Sequence, residues 1–180
     1  MLRRGPNHSY LNTVNVQITP TPIDAVPRTD IPVYPISHMY ANQILLAEDD
    51  TTDAEFFRRA LGRLDSPPEL VWFKNGQEVL EGLTNGSEGA TLPRLAILDI
   101  KMPGMSGLEL LEKLKHDPRT RDLPVIIMSS SDEPQDIAKA YEYGANGYLV
   151  KPNRFQELRE LVGSIDSFWI KTNRLRPIVS

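Results

Sequence analysis

"ILLAEDD" (residues 44–50) runs four apolar or small residues, the pattern of a buried strand, straight into Glu48, Asp49 and Asp50. Two unit charges about 4 Å apart repel by ~1 kcal/mol in water and ~4 kcal/mol at an effective dielectric near 20. Three adjacent acids at the mouth of a core are therefore costly unless something positive sits among them. The rest of the chain supplies both a frame for these acids and candidates for the balancing charge.

From residue 43 onward, short apolar runs alternate with amphipathic stretches. "QILLA" (43–47), "ELVWF" (69–73), "RLAILD" (94–99), "LPVIIMS" (123–129) and "GYLVK" (147–151) read as five strands. Most are apolar on consecutive positions, the mark of strands covered on both faces. Between them, "TTDAEFFRRALGRL" begins with cap-type threonines and places Phe56, Phe57, Ala60, Leu61 and Leu64 on one side. "GQEVLEGL" is a shorter helix, and "SGLELLEKLKHD" carries Leu108, Leu111 and Leu114 at three-residue spacing. "DEPQDIAKAYEYG" has proline near its first turn and Gly144 at its end. "NRFQELRELVGSIDSFWIK" sets Phe155, Leu158, Leu161, Val162, Ile165, Phe168 and Trp169 along one stripe. Five strand–helix pairs with short links predict an α/β fold, a doubly wound parallel sheet with helices on both faces.

In such a sheet, functional groups gather beyond the carboxyl ends of the strands. The first strand ends in Glu48, Asp49 and Asp50, the third in Asp99, the fourth in Ser129 (followed by Ser130 and Ser131), and the fifth in Lys151 before Pro152. Strand register favours Ser129 among the three serines. Carboxylates from two strands can hold a hard cation such as Mg²⁺, which takes one or two carboxylates, waters and phosphate oxygens. A cation, an ammonium and a hydroxyl around a carboxylate are what phosphoryl transfer onto that carboxylate needs.

"ILLAEDD", "LAILDIKMPGMSGLELL", "LPVIIMSSSD" and "AYEYGANGYLVKP", in this order and spacing over about residues 43–165, resemble the receiver domain of two-component response regulators. The resemblance implies a flavodoxin-like (βα)5 fold with strand order 2-1-3-4-5. It implies that Asp99 is the phosphoacceptor, Asp49 a direct Mg²⁺ ligand, Glu48 the holder of a metal-bound water, and the backbone carbonyl of Lys101 a further ligand. Ser129 is then the hydroxyl that meets the phosphoryl group, Lys151 its ion-pair partner, and Tyr148 the aromatic that changes rotamer, although a static packing role suits Tyr148 equally. The Lys151–Pro152 bond is expected to be cis, and Asp50 to cap the next helix. The tail is similar to stand-alone receivers that serve phytochrome-type sensor histidine kinases, which pair through this end. The late pair Phe168–Trp169, followed by Ile170, Leu175, Ile178 and Val179, suits core filling or a homodimer contact.

Three units follow from this reading: a Pro-rich, disordered arm (1–40), the receiver domain (41–170), and a C-terminal tail (171–180) that is a candidate dimer contact. The arm holds six of the chain's fifteen prolines and no sustained period. "MYANQILLAEDD" makes Met39 a natural alternative start. Net charge is −4, with about +1 in residues 1–40 and −5 in the body, which argues against a general nucleic-acid binder. About 30 residues follow Pro152, too few for a DNA-binding output domain once the last helix is counted. Cysteine is absent, so there is no disulfide framework. No signal-type or membrane-length apolar run is present, and a cytoplasmic protein is expected. His8, His38 and His116 form no metal pattern, and "NGSEGA" and "MPGMSG" lack P-loop spacing and read as loops.

The expected function is a phosphorylation switch: a sensor histidine kinase donates to Asp99, and partner or self-association changes. It is not an enzyme beyond assisting its own phosphorylation and hydrolysis. A Mg²⁺-dependent phosphohydrolase on a related sheet is the alternative, but it needs a second acid two residues after the nucleophile, where this chain has Lys101. A phosphorylation-independent binding module is the other alternative; it would lack a site residue, and all are present.

Overall fold

The computed structural model describes residues 40–84 and 91–176. The arm through Met39, the "NGSEGA" segment, Ile178 and Val179 lie outside the described residues, whereas Tyr40, expected as the arm's last residue, opens the first strand. Chain order is β1 (Tyr40–Ala47), α1 (Thr51–Leu61), β2 (Glu69–Phe73), α2 (Gly76–Thr84), β3 (Leu92–Leu98), α3 (Gly107–His116), β4 (Val125–Ser129), α4 (Pro134–Glu142), β5 (Gly147–Val150) and α5 (Phe155–Ile165). A π-helical turn, Asp166–Thr172, continues α5. The five strands form one parallel sheet in the order β2-β1-β3-β4-β5, as expected.

The consecutive apolar runs have a direct explanation. Successive side chains on a strand point to opposite faces, and both faces here are covered. Ile44, Leu46, Leu95, Ile97, Ile126 and Met128 pack with Phe57, Ala60, Leu158, Val162 and Ile165 of α1 and α5. Leu45, Ala47, Ala96, Leu98, Val125 and Ile127 pack with Val79, Leu110, Leu111, Leu114 and Ala140 of α2, α3 and α4. Asp50 caps α1 as expected, its carboxylate accepting from the backbone N–H groups of Thr52 (2.7 Å) and Asp53 (3.2 Å). Ser106 and Glu109 form a reciprocal capping box on α3, an arrangement worth ~1 kcal/mol.

Other expectations change as well. Phe56 does not join the α1 core stripe: it is 40% exposed and meets Phe155 edge to face, while Ala54 takes the inward position. The stripe reading counted both phenylalanines, but neighbouring helical positions lie about 100° apart and only one can face the sheet. At Gly107, where the helix "SGLELLEKLKHD" and the loop "MPGMSG" overlap, the helix reading holds: the residue opens α3 with its N–H on the carbonyl of Ile100 (3.0 Å). Leu175, expected among the free apolar residues of the tail, is buried within the chain itself. There the Tyr40 hydroxyl donates to the carbonyl of Arg176 (3.2 Å) and holds the tail against β1.

The last change is the Lys151–Pro152 bond. No cis peptide is present among the described residues, so this bond is trans. The trans isomer is favoured by ~0.5–1 kcal/mol before proline. With the bond trans, the Lys151 N–H already reaches the Ser129 carbonyl (2.8 Å) and its ammonium already reaches three acids.

Candidate functional site

The register of the parallel strands sets the site. Ala47 lies beside Leu98 on one side and Phe73 on the other, and Leu98 beside Ile127. Backbone bonds continue one residue past the strands: Asp99 N–H to Ala47 carbonyl (3.0 Å) and Glu48 N–H to Phe73 carbonyl (3.0 Å). The Trp72 indole donates to the Glu48 carbonyl (2.8 Å) and fixes the same corner. Glu48, Asp49 and Asp99 thereby converge, with one carboxylate oxygen from each within 4.8 Å of the others. Glu48 and Asp99 are buried, at 1% and 6% exposure, and Asp49 is exposed.

Lys151 enters this cluster from the end of β5. Its Nζ lies 2.6 Å from Glu48 Oε2, 2.9 Å from Asp53 Oδ2 and 3.4 Å from Asp99 Oδ2. Burial would lower the lysine's pKa, but its bonds to Glu48 and Asp53 and the charges of Glu48 and Asp99 outweigh that, and the ammonium is held above the ordinary lysine range. Glu48 behaves oppositely. Burial pushes its carboxyl up to about 7 against the pull of Lys151, and the nearby Asp99 adds to the rise. One lysine thus leaves the cluster short of positive charge. The all-oxygen donor set, with two buried acids and one at the solvent edge, fits a hard divalent cation.

Ser129 is fully buried at the end of β4, and its hydroxyl accepts from the Ser131 N–H (3.3 Å). Ser130 is exposed, and the Ser131 hydroxyl is committed to Asp136 Oδ2 (2.6 Å) at the start of α4. The Tyr148 hydroxyl donates to the Ser131 carbonyl (2.8 Å), and burial is the main cause that raises its pKa. Ser131 therefore touches Ser129, Tyr148 and α4 at once. Lys101 is exposed in the loop after β3.

Phe168 and Trp169 lie apart from this cluster on the π-helical turn, in a T-shaped pair with ring centroids 5.0 Å apart. Phe168 is 52% exposed, whereas Trp169 packs partly against the α1–α5 core.

Asp53 is the site residue that sequence reasoning missed. It stands in the first turn of α1, where a carboxylate is already favoured by the helix dipole. Its only other sequence signal is its place four residues after Asp49.

The family model described as "Response regulator receiver domain" matches residues 44–163. Among curated proteins, the chain is 34% identical over 132 residues to a protein of Methanothrix harundinacea named "Probable methanogenesis regulatory protein FilR2", covering 73% of this chain and 85% of that one. It is 30% identical to response regulator Rcp1 of Synechocystis sp., covering 72% and 89%. Among solved structures, the phosphorylated cyanobacterial phytochrome response regulator RcpA superposes with a TM-score of 0.70 at 31% identity, covering 76% of this chain and 99% of that one.

Proposed function

The chain belongs to the response regulator receiver family, and from that premise we propose that it accepts a phosphoryl group on Asp99 from a sensor histidine kinase and uses it to change a binding surface. The observation that carries this is the meeting of Glu48, Asp49, Asp99 and Lys151 at the carboxyl ends of three strands. Proteins of this family are two-component response regulators, typically signalling proteins rather than enzymes. In the proposed step an Asp99 carboxylate oxygen attacks phosphorus as the P–N bond of the donor phosphohistidine breaks, and the imidazole leaves with the electron pair. Lys151 pairs with the incoming oxygens and the buried Ser129 hydroxyl turns toward them. Glu48, Asp49, Asp99 and the Lys101 carbonyl would hold Mg²⁺. When bound, the ion supplies charge that neutralises the equatorial phosphoryl oxygens. A manganese-bound form of Rcp1 is a solved relative, at 29% identity and TM-score 0.68.

Readout runs through Ser131. A Ser129 hydroxyl drawn toward the phosphoryl group gives up the Ser131 N–H, and Ser131 also holds Tyr148 and α4. Only a few kcal/mol of differential stabilisation are needed to shift such a two-state element. The kinase partner we propose is of phytochrome type, because RcpA and the bacteriophytochrome response regulators AtBRR and RtBRR are among its structural relatives at 31–32% identity. Phosphotransfer from each autophosphorylated sensor kinase of the source genome tests this. A phytochrome-type donor is expected to transfer fastest, and a preferred donor of another class would overturn that assignment. None of the helices among the described residues is long and apolar enough to cross a membrane, which suits a cytoplasmic protein.

Two predictions arise here. In the metal-free protein Glu48 holds its proton up to about pH 7, well above the ordinary glutamate range. Mg²⁺ uptake must then expel that proton, so affinity falls as pH drops below about 7, approaching about tenfold per pH unit. Titration calorimetry in buffers of different ionisation heat will show proton release at pH 6 and little at pH 8, and release that does not vary with pH would contradict the assignment. The second concerns self-association. We propose a homodimer through Phe168 and the partly buried Trp169. Sedimentation of the full chain is expected to show a dimer that Phe168→Asp converts to monomer, and two monomers would end the idea.

A further inference from the structure

We infer that Asp53 is the positioning residue for Lys151, the contact that keeps its ammonium at Asp99 once a divalent ion engages Glu48. This rests on the proposed function, in which Lys151 serves the phosphoryl group.

The metal-free arrangement shares one ammonium among three carboxylates. The shortest contact is to Glu48 (2.6 Å), the next to Asp53 (2.9 Å), and the longest to Asp99 (3.4 Å). Glu48 also belongs to the set of three acids that can share a cation, whereas Asp53 stands outside that set. A cation whose bound water is held by the Glu48 carboxylate would compete with Lys151 for it. The lysine would then lose its shortest contact at the moment its position matters.

Two features make Asp53 the remaining anchor. Its carboxylate comes from the first turn of α1, whose backbone is fixed by the Asp50 cap, so it is tied to the same strand–helix junction as the metal ligands. A small cavity of about 50 Å³ lies beside Lys151 and Asp53, and its lining is otherwise apolar: Phe56, Phe57, Met128, Pro152 and Leu158. A lysine released from both acids would be held at Asp99 by a single contact on a flexible four-carbon stem. Misplacing a catalytic group by about 1 Å can cost on the order of 10²-fold in rate. The 44% exposure of the Asp53 side chain weakens its hold on the ammonium, so a smaller loss is expected here.

The test uses the full chain, Asp53→Ala and Asp53→Asn, with phosphoramidate as donor. Asn keeps an oxygen that can accept from Lys151 but drops the charge. At saturating Mg²⁺, the phosphorylation rate constant is expected to fall about tenfold in Asp53→Ala and by less in Asp53→Asn. The Mg²⁺ dissociation constant should stay within about twofold. A separate arm needs no phosphorylation. In Mg²⁺-loaded protein, NMR of the lysine side-chain ¹⁵N nuclei should show a protected Lys151 ammonium in the wild type that is lost in Asp53→Ala. An Asp53→Ala variant that reacts as fast as wild type or faster, or whose Mg²⁺ affinity weakens in step with its rate, overturns the inference. Wild-type protein that takes no label at all would instead refute the phosphoacceptor reading, while the ammonium signal still reports on Asp53.

Discussion

Asp99→Asn is expected to reduce labelling by acetyl phosphate and Mg²⁺ to background, and to weaken Mg²⁺ binding by more than about tenfold, as loss of a ligand should. The amide cannot form an acyl phosphate, and it removes one of the three convergent carboxylates. The folded state should survive the change. Asp99 is the most distant of the three partners of Lys151, at 3.4 Å, and the ammonium keeps Glu48 and Asp53. Removing one acid from a buried, positively undercompensated cluster also relieves repulsion, so thermal stability without metal should hold or rise. Gel retardation of the phosphorylated form measures the first effect, and calorimetry and a thermal melt the others. Labelling that persists in Asp99→Asn would move the phosphoacceptor to another residue.

Gly107→Ala should be the most damaging single-methyl substitution in the site. A Cβ built at this position would overlap the carbonyl oxygen of Asp99 and lie 2.8 Å from its carbon and 3.2 Å from the Ile100 Cα. These are backbone atoms that cannot turn aside as a side chain can. The Asp99 N–H is meanwhile held by β1, and the Gly107 N–H by the Ile100 carbonyl. Either α3 moves away from the sheet, breaking its packing through Leu110 and Leu111, or the Asp99 backbone shifts. Overpacking of this kind costs about 1–3 kcal/mol, and rigid backbone on both sides places Gly107→Ala near the upper end. Denaturant unfolding should show that loss, and phosphoramidate labelling should slow beyond what the unfolded fraction explains. A variant as stable and as reactive as wild type would mean that α3 docks more loosely than the close approach implies.

Both effects depend on features of unequal visibility in the sequence. The strands were legible because two-sided burial writes itself as consecutive apolar residues, and the acids and Lys151 because they interrupt those runs at one end. Once the sheet is parallel, strand ends share one rim, and Glu48, Asp99, Ser129 and Lys151 line it from β1, β3, β4 and β5. The Asp50 cap was legible for the same local reason. Asp53 was not, because its carboxylate has an adequate explanation in the helix dipole, and its partner lies 98 residues away. The role of Gly107 was hidden too: a glycine in "MPGMSG" reads as turn chemistry, whereas its cause is the approach of α3 to the Asp99 backbone. Phe56 and Leu175 misled because an apolar residue at the right period can face either way until its neighbours are known. The π-helical turn after Ile165 left no sequence signal, since the 3.6-residue stripe runs through it without a break.

The phosphohydrolase alternative loses ground on the same evidence. The position that would hold its proton-transferring acid is Lys101, exposed beside the cluster, and the matched family consists of receivers.

If the converging carboxylates form one receptacle for a divalent ion and a phosphoryl group, filling it moves Ser129, Tyr148 and α4. A ¹H–¹⁵N NMR titration of the full chain with Mg²⁺ and beryllofluoride tests it most directly. Shifts are expected to concentrate at Glu48–Asp50, Asp99–Lys101, Ser129–Ser131, Tyr148–Lys151 and the start of α4, and all to be lost in Asp99→Asn. A spectrum left unchanged by both additions would contradict it.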